Sequence, residues 1–469
     1  GLRRGVSEHP ALLPMSQDVR RCYETAVMRR ACSLVLCLLL ASCSDDAEAP
    51  AHSSTGGASG GGAGGSTSGG GGFGGNAGAP SGGAAGTGGT DAGAVDDWEL
   101  FQAILKGQID APTGLAKIAR SGGFPVAAPG GFLFVHIDDG AGPYALSGDH
   151  NAWQPASMKA EAGMYWLVAA VPSPDGKKYK IEDGKSALLA DPLARRFGYD
   201  QYGEYSSVRR SAAHLERWLD VGGAGIPPRT LRVRVPGQPS THHLYVHDGQ
   251  NLFDPDAAFG SWKLDESAGP ATLIVGIDNA GALRMDEYTH VSDVISGQTT
   301  GGKGDAYADY VKDEVRPLIE AAYGKPLRVG VMGSSLGGLI AFHQAQRHPG
   351  AWDFAASMSG TFGWGSIGAK NETLIGRYGK QGKQATKLYL DSGGGAGSGC
   401  VDSDGDGTDD DSPTASDNYC ETIQLRDLLG SQGYVFDQEL WHWWENGAPH
   451  NEGAWAKRAF RPLQAFEEL

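Results

Sequence analysis

The sequence predicts an α/β chain in which a C-terminal domain with a mainly parallel β-sheet follows a small β-sandwich and a disordered, glycine-rich linker. Three observations support this class. Beyond Pro228, apolar runs with the length of buried strands alternate with helical stretches, which indicates a parallel sheet covered by helices. Residues 131–181 instead contain period-two runs separated by Gly, Pro and Asp, a pattern typical of β-sandwiches. Glycine accounts for 73 of the 469 residues, and one dense glycine-rich stretch lies between residues 44 and 95.

Charge and composition exclude two broad classes of protein. The chain is acidic, with 39 Lys and Arg against 55 Asp and Glu and a formal net charge of −16. Nucleic acid is therefore not expected as a partner, because phosphate binding requires clustered Lys and Arg that release counterions. Hydrophobic residues make up 40% of the chain, which excludes a wholly disordered protein.

The first 43 residues contain a pattern typical of an export signal. From residue 28, two arginines precede an apolar run over residues 31–40 that is too short to span a bilayer. The tetrapeptide Leu-Ala-Ser-Cys that ends at Cys43 resembles the bacterial lipobox, in which cleavage precedes a cysteine that carries diacylglycerol. The resemblance implies an extracytoplasmic lipoprotein anchored to the membrane through Cys43. A plain secretory signal with an incidental Cys43 is the alternative.

The remaining cysteines predict one disulfide. Three cysteines precede Cys43 and leave with the signal, so that only Cys400 and Cys420 remain in the exported protein. Two cysteines left in an oxidising compartment most often pair, and this pair would close a loop of about 20 residues. Two free buried thiols are the alternative.

An ordered region is predicted to begin at residue 96. Residues 44–95 hold almost no apolar side chains and cannot offset their ordering entropy, so they form a flexible tether. Residues 96–121 have apolar positions at helical spacing after two acidic residues, which indicates a helical segment. A sandwich over residues 122–212 follows, and the residues up to about 227 are predicted to form a connector.

The sandwich resembles the immunoglobulin-like early-set module. The resemblance rests on the run Gly-Asp-His-Asn-Ala-Trp that ends at Trp153 and on the aromatic strands that follow it. In carbohydrate-binding relatives, exposed tryptophans stack on sugars, and Trp153 and Trp166 are the candidates here. Burial of both tryptophans in the sandwich core is the alternative, because Trp is normally mostly buried.

The domain over residues 228–469 contains a candidate nucleophile, Ser335. The pentapeptide Gly-Ser-Ser-Leu-Gly around it follows a predicted strand and precedes a predicted helix, which is the context of a nucleophile elbow. The backbone N–H of Leu336 is one expected oxyanion donor. The loop over residues 247–251 supplies the second, and we favour the N–H of Gln250, with a shift of one residue left open.

The general base is predicted to be His450. A serine hydroxyl requires a histidine to take its proton, and in this fold that histidine comes later in the chain. Four histidines follow Ser335, and His343 and His348 fall in or at the end of the elbow helix. His442 falls within the last predicted strand, whereas His450 lies in the loop after that strand, where the base belongs.

The acid of the triad has three candidates in the sequence, because an insertion follows the strand that ends near Asp391. Asp391, Asp402 and Asp417 all lie beyond or at the strand end, where an acid could orient the imidazole. We favour Asp417, which immediately precedes the next predicted helix. A helix N-cap is the alternative role for Asp417.

The insertion over residues 400–420 contains a candidate calcium loop. Carboxylates at positions one, three, five and nine, with a carbonyl at position seven, resemble EF-hand or thrombospondin-type loops. A solvated acidic loop is the alternative. Position twelve is Pro413 rather than a bidentate Glu, which predicts modest affinity. The candidate ligands are Asp402, Asp404, Asp406, Thr408 and Asp410.

Together these motifs resemble the esterase family of α/β-hydrolases that includes enterochelin esterases, feruloyl esterases and mycobacterial mycolyltransferases. The resemblance covers about residues 230–469, with further matches at residues 247–250, 284–288 and 310–317 and in the His-Asn-Glu run that begins at His450. The early-set module ahead of it is similar to that of enterochelin esterases.

The resemblance implies a serine carboxylic-ester hydrolase that forms an acyl-enzyme and uses no catalytic cofactor. Its substrate would be a small-molecule ester or an ester linked to polysaccharide, and an aromatic acyl pocket has Trp441, Trp443 and Trp444 as candidate walls. A carbohydrate-binding surface lipoprotein with an inactive hydrolase domain, and an acyltransferase, are the alternatives.

Overall fold

The computed structural model describes residues 96–397, 399–411 and 417–469. The predicted lipidation site Cys43 and the linker over residues 44–95 lie outside the described residues. Two helices open the described part, and the side chains of Asp96 and Asp110 cap them by accepting backbone N–H groups. The α-helices are α1 (Asp97–Leu105), α2 (Ala111–Arg120), α3 (Leu264–Ser267), α4 (Arg284–Glu287), α5 (Gly304–Tyr310), α6 (Arg316–Tyr323), α7 (Leu336–Arg347), α8 (Leu374–Gln381), α9 (Tyr419–Ser431), α10 (Glu452–Arg458) and α11 (Phe460–Glu467).

The strands fall into two regions of the chain, one before and one after residue 212. The first region holds β1 (Val126–Ala128), β2 (Gly131–Ile137), β3 (Ala145–Gly148), β4 (Ala156–Ser157), β5 (Lys159–Glu161), β6 (Met164–Ala169), β7 (Lys178–Glu182), β8 (Leu188–Leu189), β9 (Arg196–Asp200) and β10 (Gly203–Ser207). The second holds β11 (His214–Gly223), β12 (Ile226–Val235), β13 (His242–His247), β14 (Thr272–Ile277), β15 (Ser292–Ile295), β16 (Gln298–Gly301), β17 (Arg328–Ser334), β18 (Phe354–Met358), β19 (Lys387–Ser392) and β20 (Leu440–Trp444).

The C-terminal domain is built on a parallel sheet in the order β14-β13-β17-β18-β19-β20. Its strands are nearly continuous apolar runs, because helices cover both faces. The chain reverses its winding direction at β13, since β14 lies on one side of this strand and β17 on the other. Ligand sites of open α/β sheets lie beyond the carboxyl ends of strands at such a switch point. The predicted fold class is confirmed for this domain.

The N-terminal region forms two sheets that pack face to face. One sheet has the order β1-β2-β6-β5, and the other contains β9, β10, β7, β3 and β4. Phe134 and Leu146 are fully buried between the sheets, together with Tyr179 and Ile181. Helices α1 and α2 pack on the outer face of the first sheet through Phe101 and other apolar side chains. Assignment of this sandwich to the early-set class stays a prediction.

The predicted connector after residue 212 is wrong. Residues 214–223 form β11, which pairs with β9 on one side and β12 on the other and so joins the sandwich to the parallel sheet. The sequence did not show the alternation of apolar and polar residues that marks a strand, because the charged Glu216 is buried. It is 7% exposed and hydrogen-bonds to His214 and Tyr323. Within the described ranges, no helix combines the length and apolar character that a bilayer crossing requires.

Candidate active site

Ser335 occupies a strained turn between β17 and α7, as the sequence predicted. Its backbone has φ 56° and ψ −126°, a conformation that L-residues rarely adopt outside functional turns. Gly333 and Gly337 approach so closely that a Cβ on Gly333 would overlap the backbone of Gly337. The Ser335 N–H donates to the carbonyl of Met358 at the end of β18, 2.9 Å away. These contacts hold the hydroxyl at the carboxyl edge of the sheet.

The structure brings His450 and Asp417 to this serine. The Ser335 hydroxyl lies 2.9 Å from Nε2 of His450, and Nδ1 of the same ring lies 2.6 Å from Oδ1 of Asp417. A carboxylate only accepts, so Nδ1 carries the proton and Nε2 is free to accept from the hydroxyl. The Asp417 side chain is fully buried, whereas that of His450 is 28% exposed. This arrangement can move a proton from Ser335 to the imidazole.

Neither of the other two candidate acids contacts His450. Asp391 lies at the end of β19 and is fully buried, with Tyr389 and Arg458 as its hydrogen-bond donors. Asp402 is exposed and accepts from backbone N–H groups of its own loop. The alternative role of Asp417 as an N-cap is also not seen, because Asn418 holds the N-cap position of α9.

The three other histidines that follow Ser335 in the chain lie away from its hydroxyl and contact other groups. His343 is buried in α7, with Nε2 2.8 Å from the carboxylate of Asp305. His348 ends the same helix, 2.9 Å from Asp309. In β20, burial lowers the pKa of His442 to about 4, so this imidazole is neutral near pH 7. None of the three lies in the loop that carries His450.

The loop after β13 lies against the elbow and is held by one carboxylate. A Cβ on Gly337 would sit 3.2 Å from Oδ2 of Asp248, which places the loop beside the first turn of α7. Asp248 has a left-handed backbone, with φ 61°, and its carboxylate accepts two bonds of 2.8 Å from Arg284. Burial would raise the pKa of Asp248, but the Arg284 guanidinium outweighs it, so the pKa lies below its ordinary value.

The two predicted oxyanion donors, the N–H groups of Leu336 and Gln250, lie in the two segments that these contacts bring together. Leu336 is the first residue of α7, so its N–H has no acceptor inside the helix. Gln250 lies in the 3₁₀ turn after Asp248, and its Oε1 accepts from the Asn279 N–H at 3.2 Å. The loop and the helix start therefore face the edge where Ser335 stands.

The insertion contains the predicted disulfide and part of the predicted ligand set. Cys400 and Cys420 are joined by a disulfide. Asp402, Asp404 and Asp406 offer carboxylate oxygens within 4.8 Å of one another, a donor set that fits a hard cation such as Ca²⁺. Asp410 lies outside this group, because its Oδ2 accepts from the N–H and hydroxyl of Ser403. Thr408 is 6% exposed, and its N–H donates to Asp406.

The candidate aromatic walls differ in exposure. Trp441 packs against the apolar core beneath the sheet, whereas Trp443 and Trp444 are 37% and 38% exposed. The Trp444 ring lies 5.2 Å from that of Tyr419, two residues after Asp417, and its Nε1 donates to the carbonyl of Gly394. An aromatic surface therefore lies near the acid of the site.

The two candidate tryptophans of the sandwich also differ in exposure. Trp153 is 37% exposed, and its Nε1 donates to Asp149. Trp166 is half-buried, with its ring edge-on to Phe101 at 5.5 Å and its Nε1 directed at Glu161. Of the two candidates, Trp153 offers the accessible face.

Sequence reasoning missed the side chains around Asp417. The Oδ2 of Asp417 accepts from the hydroxyl of Ser359 at 2.7 Å and from the N–H of Gly393. The Ser359 hydroxyl in turn accepts from Trp455 at 3.0 Å and from Arg458 at 2.6 Å. The only sequence signal was the proximity of Trp455 and Arg458 to His450 along a predicted helix.

A parallel sheet with a strand–turn–helix serine at its carboxyl edge, and a histidine in the loop after the last strand, defines an α/β-hydrolase. Residues 228–455, just under half the chain, match the model of the Esterase family, described as "Putative esterase". The catalytic domain therefore matches an esterase family of α/β-hydrolases over almost its whole length.

Individual relatives are distant. The uncharacterized protein YbbA of Bacillus subtilis (strain 168) is 30% identical over 125 residues, which cover 25% of this chain and 49% of that protein. The match thus spans about half the length of this curated relative. An enterobactin esterase of Shigella flexneri is 14% identical with a TM-score of 0.41, over 72% of this chain and 93% of that one. The siderophore hydrolase EstB of Aspergillus nidulans is 17% identical with a TM-score of 0.40, over 54% and 94%.

Proposed function

We propose that this protein is a serine esterase that hydrolyses carboxylic esters through an acyl-enzyme on Ser335. The observation that carries the proposal is the unbroken hydrogen-bonded chain from Ser335 through His450 to Asp417 at the elbow. The match of residues 228–455 to the Esterase family model supports the same reaction class. The reaction as proposed uses only side chains, backbone amides and water.

The proposed steps follow from the bond directions. His450 Nε2 takes the hydroxyl proton while Ser335 Oγ bonds to the ester carbonyl carbon, and the N–H groups of Leu336 and Gln250 hold the resulting oxyanion. The protonated imidazole then gives its proton to the departing alkoxide, which leaves as an alcohol. In the second half His450 takes a proton from water, the hydroxide attacks the acyl group, and Ser335 recovers its proton as the acid leaves.

Covalent labelling tests this proposal against a binding protein with an inactive hydrolase fold. A fluorophosphonate probe is expected to form one adduct on the full chain, and peptide mass spectrometry should place it on Ser335. Prior acid denaturation, which separates Ser335 from His450, should prevent the adduct. Absence of an adduct on folded protein, or an adduct on another serine alone, would remove the esterase proposal. Product analysis with an added alcohol then separates hydrolysis from acyl transfer.

We propose a small-molecule or polysaccharide-linked ester with a flat acyl or alcohol group as the substrate. The exposed ring of Trp444, which packs on the half-buried Tyr419 near Asp417, supports this choice, because aromatic faces stack on flat apolar groups. A panel of feruloyl, acetyl-xylan, aryl and siderophore esters is the direct comparison. The exposed Trp153 supports a separate proposal, that the sandwich contacts carbohydrate.

We also propose that the loop of Asp402, Asp404 and Asp406 binds calcium and stiffens the segment that carries Asp417. Without a cation, three carboxylates within 4.8 Å repel one another. Saturation by calcium at 100 times its Kd would stabilise the fold by about 2.7 kcal/mol. EDTA is therefore expected to lower the melting temperature and the esterase rate, and added calcium to restore both.

The matched control is the double variant D404N/D406N, which lacks two of the three carboxylates. Its melting temperature should no longer respond to EDTA or to calcium, although its value is expected to lie near that of the chelated parent. A parent melting curve that EDTA leaves unchanged would contradict the calcium proposal and leave the esterase proposal standing.

For cellular location we propose an extracytoplasmic protein held at the membrane by a lipid on Cys43. The pattern of residues 28–43 and the disulfide of Cys400 and Cys420 support it, because disulfides persist in oxidising compartments. Metabolic labelling with a fatty-acid analogue in a bacterial host, with Cys43→Ser as the control, tests it. Labelling that survives the substitution would refute the anchor.

A further inference from the structure

Asp417 is one end of a buried polar network that extends away from His450. Its Oδ2 accepts from the Ser359 hydroxyl at 2.7 Å and lies 3.6 Å from Nη2 of Arg458. The same Nη2 donates to the Ser359 oxygen at 2.6 Å. Arg458, at the end of α10, is only 1% exposed, so its charge is not screened by water.

A second carboxylate shares this arginine. The Nε of Arg458 donates to Oδ1 of Asp391 at 3.0 Å, and the Tyr389 hydroxyl donates to Oδ2 at 3.0 Å. Asp391 and Ser359 are both fully buried, and the Ser359 N–H donates to the carbonyl of Asp391. One guanidinium thus lies between two buried carboxylates, of which only Asp417 contacts His450.

Trp455 contacts both this polar network and the imidazole of His450. Its Nε1 donates to the Ser359 hydroxyl at 3.0 Å, and its ring packs edge-on to His450 with 4.9 Å between centroids. Trp455 and Arg458 are one turn apart on α10, which begins directly after the loop of His450. The short helix therefore positions the base and the partner of its acid together.

We propose that Arg458 is a positioning residue for catalysis, which aims Asp417 at His450 through Ser359, and that Asp391 balances its charge. This inference rests on the proposed esterase function. The oxygen of Ser359 accepts from Trp455 and Arg458, so both of its lone pairs are occupied and its hydroxyl hydrogen is directed at Asp417. Without Arg458, the Ser359 oxygen would lose one of the two donors that orient its hydroxyl, and the buried Asp417 carboxylate would lose the guanidinium 3.6 Å away, so its orientation would loosen.

Asp391 has a separate electrostatic role. The charged and titratable groups that face it are Arg458 from α10, Tyr389 from its own strand and Asp417 from the segment before α9. Burial raises the pKa of Asp391 to about 6 even against the attraction of Arg458. Near and above neutral pH its negative charge offsets that of the guanidinium, which would otherwise disfavour a second positive charge on His450.

The first test compares Arg458→Met with Arg458→Lys and Arg234→Met on an ester that the parent hydrolyses. Arg234 is a matched control, because it is 8% exposed and donates only to backbone carbonyls of residues 268, 269 and 272. Arg458→Met should lower kcat by roughly 10- to 100-fold with KM unchanged, since misaimed catalytic groups slow chemistry rather than binding. Arg458→Lys keeps the charge and should recover part of the loss. Arg234→Met should lower the melting temperature alone.

The second test uses the pH profile of kcat/KM, which a merely structural role would not move. Asp391→Asn keeps an acceptor for Arg458 but removes the negative charge. The guanidinium then opposes imidazolium formation, so the acid limb of the profile should move to lower pH. An unmoved or raised acid limb, or an Arg458→Met kcat within about twofold of the parent, would overturn the inference. If the parent itself hydrolyses no ester and takes no fluorophosphonate, the proposed function fails instead.

Discussion

Ser335→Ala is expected to lower kcat by about 10⁴- to 10⁶-fold, with a melting temperature close to that of the parent. The loss is large because no acyl-enzyme forms without the hydroxyl, and residual rate comes only from the oxyanion donors and binding. Stability should change little, since the Ser335 backbone rather than its hydroxyl anchors the elbow to Met358. Steady-state hydrolysis of an aryl ester, with circular dichroism on the same samples, measures both effects.

Ser334→Ala is the matched control, because it removes the neighbouring hydroxyl from the end of β17 without touching His450. Its kcat should remain within about tenfold of the parent, and it should still take the fluorophosphonate. Substantial hydrolysis by Ser335→Ala, with the Ser334 variant inactive, would show that the nucleophile has been assigned to the wrong serine.

The second large effect is expected at Asp417. Asp417→Asn should lower kcat by about 10³- to 10⁴-fold, because an amide cannot both stabilise the imidazolium and hold Nδ1 as the protonated nitrogen. The variant keeps the volume of the side chain, so its oxygen can still accept from Ser359. The measurement is kcat on an aryl ester at several pH values, with the melting temperature of the same samples.

Substitutions of Asp391 and Asp402 test whether Asp417 is the acid that pairs with His450. Asp402→Asn alters only an exposed loop carboxylate and should reduce kcat far less than Asp417→Asn. Asp391→Asn should alter the pH profile more than the maximal rate, because it removes the negative charge that offsets Arg458. A loss at Asp391 or Asp402 that exceeds the loss at Asp417 would reassign the acid.

Much of the catalytic domain could be predicted from local patterns. The strands that carry the site are continuous apolar runs, so their ends, and with them Ser335 and His450, could be placed by periodicity and chain order. Asp417 could not be placed as firmly. More than twenty residues separate the end of β19 from α9, and within such an insertion sequence distance no longer predicts distance in space.

The junction between the two domains shows a different limit. Strand β11 has buried charged side chains, including Glu216, and their ion pairs disguised the alternation that marks a strand. Prediction from sequence patterns assumes that a charged residue is exposed, whereas a paired charge can be buried when its hydrogen bonds are satisfied. The predicted connector failed for this reason.

The sequence by itself determined the fold class, the position of Ser335 at the strand–helix turn, the position of His450 in the loop after the last strand, and the pairing of Cys400 with Cys420. Each of these depends on local periodicity, on chain order or on simple counting. Only the tertiary structure decided which aspartate meets His450, that Arg458 lies between two buried carboxylates, and that Asp410 bonds to Ser403 outside the group of Asp402, Asp404 and Asp406. These features depend on side chains from distant segments that converge at one sheet edge, where a difference of a few ångströms decides which groups bond.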